Sequence, residues 1–164
     1  MPIDQIIRHA AVTDMTNTRL RTAQERRADI QANAAELGID DAFIDELVET
    51  FYGRIRADAT LGPIFENAIG DTWAPHLATM KDFWASVALN AGRYSGKPVP
   101  AHMKHPQIER AHFAIWLGLF RQTLEDISPS AQTVAYFMER AERIAASLQL
   151  ALFGVPGLPP RTTA

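Results

Sequence analysis

Residues 73–105 read WAPHLATMKDFWASVALNAGRYSGKPVPAHMKH. Trp73, Leu77, Met80, Trp84, Val87 and Ala88 recur at helical intervals, so the first half of this stretch predicts a helix with one buried face. Asp71 or Thr72 is placed to cap its start. Pro75 falls in its first turn, where a missing N–H matters little. Ala91-Gly92 ends it. Tyr94 to Ala101 then carries Gly96, Pro98 and Pro100, reads as irregular, and delivers two histidines, His102 and His105.

Working outward, the pattern stays helical. Ile44, Leu47, Val48, Phe51 and Ile55 mark an earlier helix, broken at Leu61-Gly62-Pro63. A third helix is predicted from Pro106 to Ile127. Ser128-Pro129 then reads as an N-cap followed by proline in the first helical position. The last helix carries Val134, Phe137, Met138, Ala141, Ile144, Ala145, Leu148 and Leu152. No segment alternates as a strand does. The fold class is all-α, with four main helices and some short ones.

The two ends differ from this centre. Every aromatic residue lies at Phe43 or beyond. Residues 1–38 are rich in Ala, Thr, Arg and Gln and too poor in apolar area to form a core of their own. Leu20, Ala23, Arg27, Ile30 and Ala34 give a weak helical pattern ending at Gly38, a plausible C-terminal cap. This extension is expected to be a peripheral helix or disordered, and Met15 is an alternative start. Residues 39–153 form the expected domain. Residues 154–164 (GVPGLPPRTTA) form an expected flexible tail.

Composition narrows the function. The chain has 164 residues, 47% hydrophobic and 21% charged, which is globular and fits one domain. A net charge of -3 argues against nucleic-acid binding. There is no cysteine, which removes disulfides, thiolate metal sites and cysteine nucleophiles. No apolar run is long enough to span a bilayer, and no secretory signal pattern opens the chain, so a cytoplasmic location is expected. Phosphate-binding, dinucleotide and serine-hydrolase motifs are missing. The paired carboxylates Asp40-Asp41, Asp45-Glu46 and Glu125-Asp126 sit at helix ends or on polar faces, as solvated charges do.

Polar residues on apolar faces remain. His76 shares a stripe with Met80, Phe83 and Val87, Tyr52 lies in line with Val48 and Ile55, and Trp116 follows His112 by one turn. Each alone reads most simply as a core or rim residue. His102 and His105 are three apart, but zinc needs three or four ligands, and only a distant Glu109 is at hand. A haem iron needs a single axial imidazole from the protein, set in an apolar and aromatic pocket. Phe65, Met80, Phe83 and Trp84, with Tyr52, His76 and Trp116, supply that mixture.

In order, the chain shows Phe51-Tyr52, Leu61-Gly-Pro-Ile-Phe65, Trp73-x-x-His76 and Phe83-Trp84. It continues with Tyr94-x-Gly96-x-Pro98-x-x-x-His102, His112-Phe113-x-x-Trp116-Leu117 and Arg140-Ala141-x-x-Ile144-Ala145. This set resembles the group III truncated haemoglobins, bacterial two-over-two globins, over roughly residues 39–153. The resemblance implies a two-over-two helical sandwich with an extra N-terminal segment, holding haem b. It implies His102 as the proximal iron ligand and metal site, with His105 the local competitor. It implies Phe65, Met80, Phe83 and Trp84 against the cofactor, and Tyr52, His76 and Trp116 as the distal polar set. His112 is placed to border the pocket.

Diatomic gases (O2, NO, CO) are the partners so implied. Oxygen held in such a site carries partial negative charge, and the Tyr52 hydroxyl and the Trp116 indole are donors. Tight O2 retention is the expected function. The enzymatic alternative is nitric oxide dioxygenation or peroxidase-like detoxification served by a separate reductase, since the chain has no flavin or nicotinamide motif. A lesser alternative is a haem-free helical sensor or interaction protein.

Overall fold

The structure, a computed structural model, describes residues 20–158. The first half of the predicted extension (1–19, with Met15) and the end of the predicted tail lie outside the described residues. Those described form seven helices and no strand: α1 (Ala23–Glu36), α2 (Asp41–Ala57), α3 (Leu61–Ile69), α4 (Trp73–Leu89), α5 (Pro98–Met103), α6 (Arg110–Ile127) and α7 (Ala131–Phe153).

Helix boundaries follow where the backbone N–H groups find acceptors. Asp40 caps α2, its carboxylate accepting from the Phe43 N–H at 2.8 Å. The break at 61–63 falls where expected, yet these residues are themselves the first turn of α3. Asp58 Oδ1 accepts the N–H groups of Thr60 and Leu61 there, at 2.9 and 2.8 Å. Thr72 precedes α4, but its hydroxyl donates to Ile69 O at 2.6 Å instead of capping the helix.

Four predicted boundaries move. Helix α6 starts at Arg110 and not at Pro106, because Glu109 and His112 close a cap: the Glu109 N–H donates to His112 Nδ1 at 3.0 Å. The last helix is capped by Ser130, whose hydroxyl accepts the Thr133 N–H at 3.3 Å. Ser128 is not that cap, since its N–H still donates to Leu124 O of α6 at 2.8 Å. Part of the stretch read as irregular is the short α5, opened by Pro98 in its first turn. Leu20 lies before α1 and is 90% exposed, so it takes no part in that helix's apolar face.

Helices α2 and α4 pack as one pair, α6 and α7 as another, and α2 lies against α6. This is the two-over-two sandwich. Its interior is aromatic. Phe120 of α6 stacks between two indoles, with Trp116 at 5.4 Å and 7° on one side and Trp84 of α4 at 4.8 Å and 20° on the other. Phe51, Phe120 and Phe137 are fully buried. Helix α1 packs on α4. Thr133 of α7 secures its end by donating to Leu37 O at 2.7 Å. Tyr136 likewise caps the last turn of α4, its hydroxyl donating to Ala88 O at 2.6 Å.

Candidate functional site

The segment leading to His102 is tied down before it reaches the histidine. Ser86 Oγ accepts the N–H groups of Arg93 and Tyr94, both at 3.0 Å, while donating to Asp82 O at 2.8 Å. One hydroxyl is thereby used in full. The Arg93 guanidinium reaches both carboxylate oxygens of Asp41, at 2.9 and 3.1 Å. The Tyr94 ring then folds back over Gly96, where an added Cβ would lie 2.4 Å from the phenol oxygen. A side chain there would push the Tyr94 ring from this place, which gives the Tyr-x-Gly spacing a physical reason. The same ring packs edge-on against Phe83 at 5.1 Å.

His102 sits in α5 with Nδ1 2.6 Å from Pro98 O. A carbonyl can only accept, so Nδ1 carries the proton, and in the neutral ring Nε2 keeps its lone pair. His102 lines a cavity of about 400 Å³. Cavities of this size hold small molecules and cofactors. The same cavity is lined by Phe65, Met80, Phe83 and Trp84, by Tyr52, His76 and Trp116, and by His105 and His112. The structure therefore brings to one space every residue that the resemblance implied for the haem site. Leu61, Ile64, Ile108, Phe113, Ile144 and Leu148 complete its apolar wall. Of these, sequence reasoning had placed only Ile144 and Leu148 on a buried helical face, since periodicity marks such a face without saying what it is buried against.

The polar members have distinct surroundings. Tyr52 is 5% exposed, its hydroxyl has no hydrogen-bond partner among the described residues, and burial pushes its pKa well above the usual tyrosine value. It therefore stays protonated and able to donate. His76 Nε2 is buried with no partner, and burial lowers the ring's pKa. The His76 and Tyr52 rings meet edge to face at 5.4 Å. Trp116 is held flat against Phe120 and edge-on to Phe51 at 5.3 Å. His112 spends Nδ1 on the α6 cap, which leaves Nε2 as the protonated nitrogen of its neutral form. A Glu-x-x-His spacing at a helix start was the available signal for that bond, with histidine in the place usually held by Glu or Gln.

No family model matches the chain. It is 37% identical over 122 residues to the group 3 truncated haemoglobin Ctb of Campylobacter jejuni, a match covering 73% of this chain and 95% of that one. The crystal structure of the group III truncated haemoglobin from Campylobacter jejuni superposes with a TM-score of 0.67 at 36% identity. That match covers 73% of this chain and 96% of the other. The chain belongs to the group III truncated haemoglobins. It is a globin, and a haemoglobin family implies a haem cofactor.

The residues of this truncated haemoglobin fit such a group. Its cavity is walled by aromatic and aliphatic side chains, and one histidine is locked in the tautomer that leaves a nitrogen lone pair for a metal. A buried, unpartnered imidazole nitrogen also belongs to a residue lining the same cavity. Among the described residues no group of three or more His, Asp or Glu is placed to hold a bare metal ion. No described helix is long and apolar enough to cross a membrane.

Proposed function

We propose that this globin holds haem b in the 400 Å³ cavity through His102 and binds O2 tightly against Tyr52, Trp116 and His76. The observation that carries this is one apolar space lined by both a His102 ring of fixed tautomer and the buried Tyr52 side chain, whose hydroxyl has no hydrogen-bond partner among the described residues. When bound, haem supplies an iron that takes diatomic ligands such as O2, NO and CO. Everything else is the work of the chain. Pro98 O orients His102 and fixes its tautomer, as second partners of metal-binding histidines do. Phe65, Met80, Phe83 and Trp84 exclude water and give the porphyrin an apolar bed.

Tyr52 and Trp116 act as donors toward a ligand with partial negative charge. A buried hydrogen bond to a charged partner contributes about 1.5–3 kcal/mol. At about 1.4 kcal/mol per tenfold, each donor slows ligand release by roughly tenfold to a hundredfold. His105 lies just past α5, its N–H donating to His102 O at 3.0 Å, and His102 is assigned the iron ahead of it. Residues 39–153 are assigned as the globin unit, working in the cytoplasm.

Two measurements test this reading. Ferric, ferrous and ferrous-CO spectra of protein purified with haem should show a histidine-ligated haem, and His102→Ala should lose or weaken it. Haem uptake indifferent to His102 would move the assignment to His105. Stopped-flow O2 dissociation should speed up about tenfold or more in both Tyr52→Phe and Trp116→Phe. Unchanged off-rates in both would refute tight retention by these donors.

A further inference from the structure

Trp73 was read in the sequence as the first residue of an apolar stripe and as part of the Trp73-x-x-His76 motif, with no role of its own. It does not line the cavity; it lies behind His76, 9% exposed. Its ring meets the His76 ring edge to face at 5.9 Å and 89°, and the Tyr52 ring at 6.2 Å and 66°. With the Tyr52–His76 contact at 5.4 Å, the three rings form a closed triangle of edge-to-face contacts. Among the described residues the buried Trp73 indole N–H has no acceptor, and neither has His76 Nε2 a partner. No hydrogen bond from either of these atoms fixes the two rings. Packing holds them.

That packing is closed from outside. The Arg56 guanidinium lies over the Trp73 ring, Cζ 4.4 Å from its centroid. Arg56 Nε in turn donates to Glu66 Oε1 at 2.9 Å. Arg56 stands one turn after Tyr52 on α2, Glu66 is on α3, and Trp73 and His76 are on α4. Three helices thus meet at one stack. Both charged partners are about half exposed, so the outer end of the stack is at the surface while its inner end is at the cavity.

We propose that Trp73, clamped by Arg56 and Glu66, is the positioning residue that holds the His76 ring at the cavity and so sets how fast a ligand enters. This rests on the haem site assigned above. His76 lines the cavity and is itself partly exposed, so its ring stands between solvent and that space. Loosening the clamp frees the indole, the imidazole loses its backing, and the way past it opens more often. A cation–π contact at a partly exposed site corresponds to a factor of about two to five in a rate or equilibrium.

The test is CO association after flash photolysis of the haem-loaded protein. Arg56→Met keeps the alkyl stem and removes the charge; Glu66→Gln removes the ion pair. Association should quicken about two- to fivefold in Arg56→Met and change in the same direction, by less, in Glu66→Gln. Both effects should vanish when His76→Ala is added, because the clamp acts only through that ring. In the diamagnetic CO form, the His76 ring NMR signals should shift or broaden in Arg56→Met and recover in part in Arg56→Lys. Equal rate changes with and without His76, or unaltered rates and ring signals, overturn the proposal while leaving the site assignment standing. Failure of the unmutated protein to form a photolabile CO complex overturns both.

Discussion

His76 shows what a single residue can and cannot reveal. Its burial lowers its pKa, while an unfolded chain takes up the proton at the ordinary value near 6.5. Above that pH neither state is protonated. As the pH falls below about 6.5 the unfolded state gains a proton that the native ring resists, so native stability falls. Thermal unfolding between pH 7.5 and 5 should therefore show a steeper loss for the native protein than for His76→Gln, and parallel curves would refute it. The sequence placed His76 on an apolar face by spacing alone, where a core histidine was the simpler reading. Its neighbour Trp73 was visible in a stripe and a motif but without a role, because the contacts that matter come from Arg56 and Tyr52 on another helix. His112 was visible as a border residue, but its bond to the Glu109 N–H depended on where the helix would begin.

At the scale of elements, periodicity located the long helices and left their ends uncertain. Interior turns are dictated by which side chains are apolar, and that is written in the spacing. Ends are dictated by which hydroxyl or carboxylate reaches a free N–H, and Ser128 and Ser130 compete on equal terms in sequence. The junction of α2 and α3 gives a sharp case. A Cβ added to Gly62 would lie 2.7 Å from Arg56 O, a backbone atom that cannot rotate away. Gly62→Ala should cost about 1–3 kcal/mol, as overpacking with a backbone shift does. Chemical denaturation checks this, and a midpoint unchanged from the unmutated protein would show that the turn yields freely. The resemblance had marked Leu-Gly-Pro-Ile-Phe as a signature; the close approach of two backbones is its physical reason.

Across the whole molecule, the all-helical sandwich was legible because aromatic stripes repeat on several segments, and such stripes must be buried against one another. What was not legible is the set of long-range bonds that assembles them. Thr133 reaches Leu37 O across 96 residues and Tyr136 reaches Ala88 O across 48, and no local pattern announces either. The short α5 is the exception to the general burial. It packs on α7 and carries His102, yet none of its six residues is buried. A helix of that length does not persist alone in water. Its order is borrowed from what it touches: α7 in this structure and, on the proposed reading, the haem that His102 would hold. Occupant and clasp are then mutually dependent: expelling the one lets the other fray, and a filled molecule outlasts an empty one in heat or against a protease.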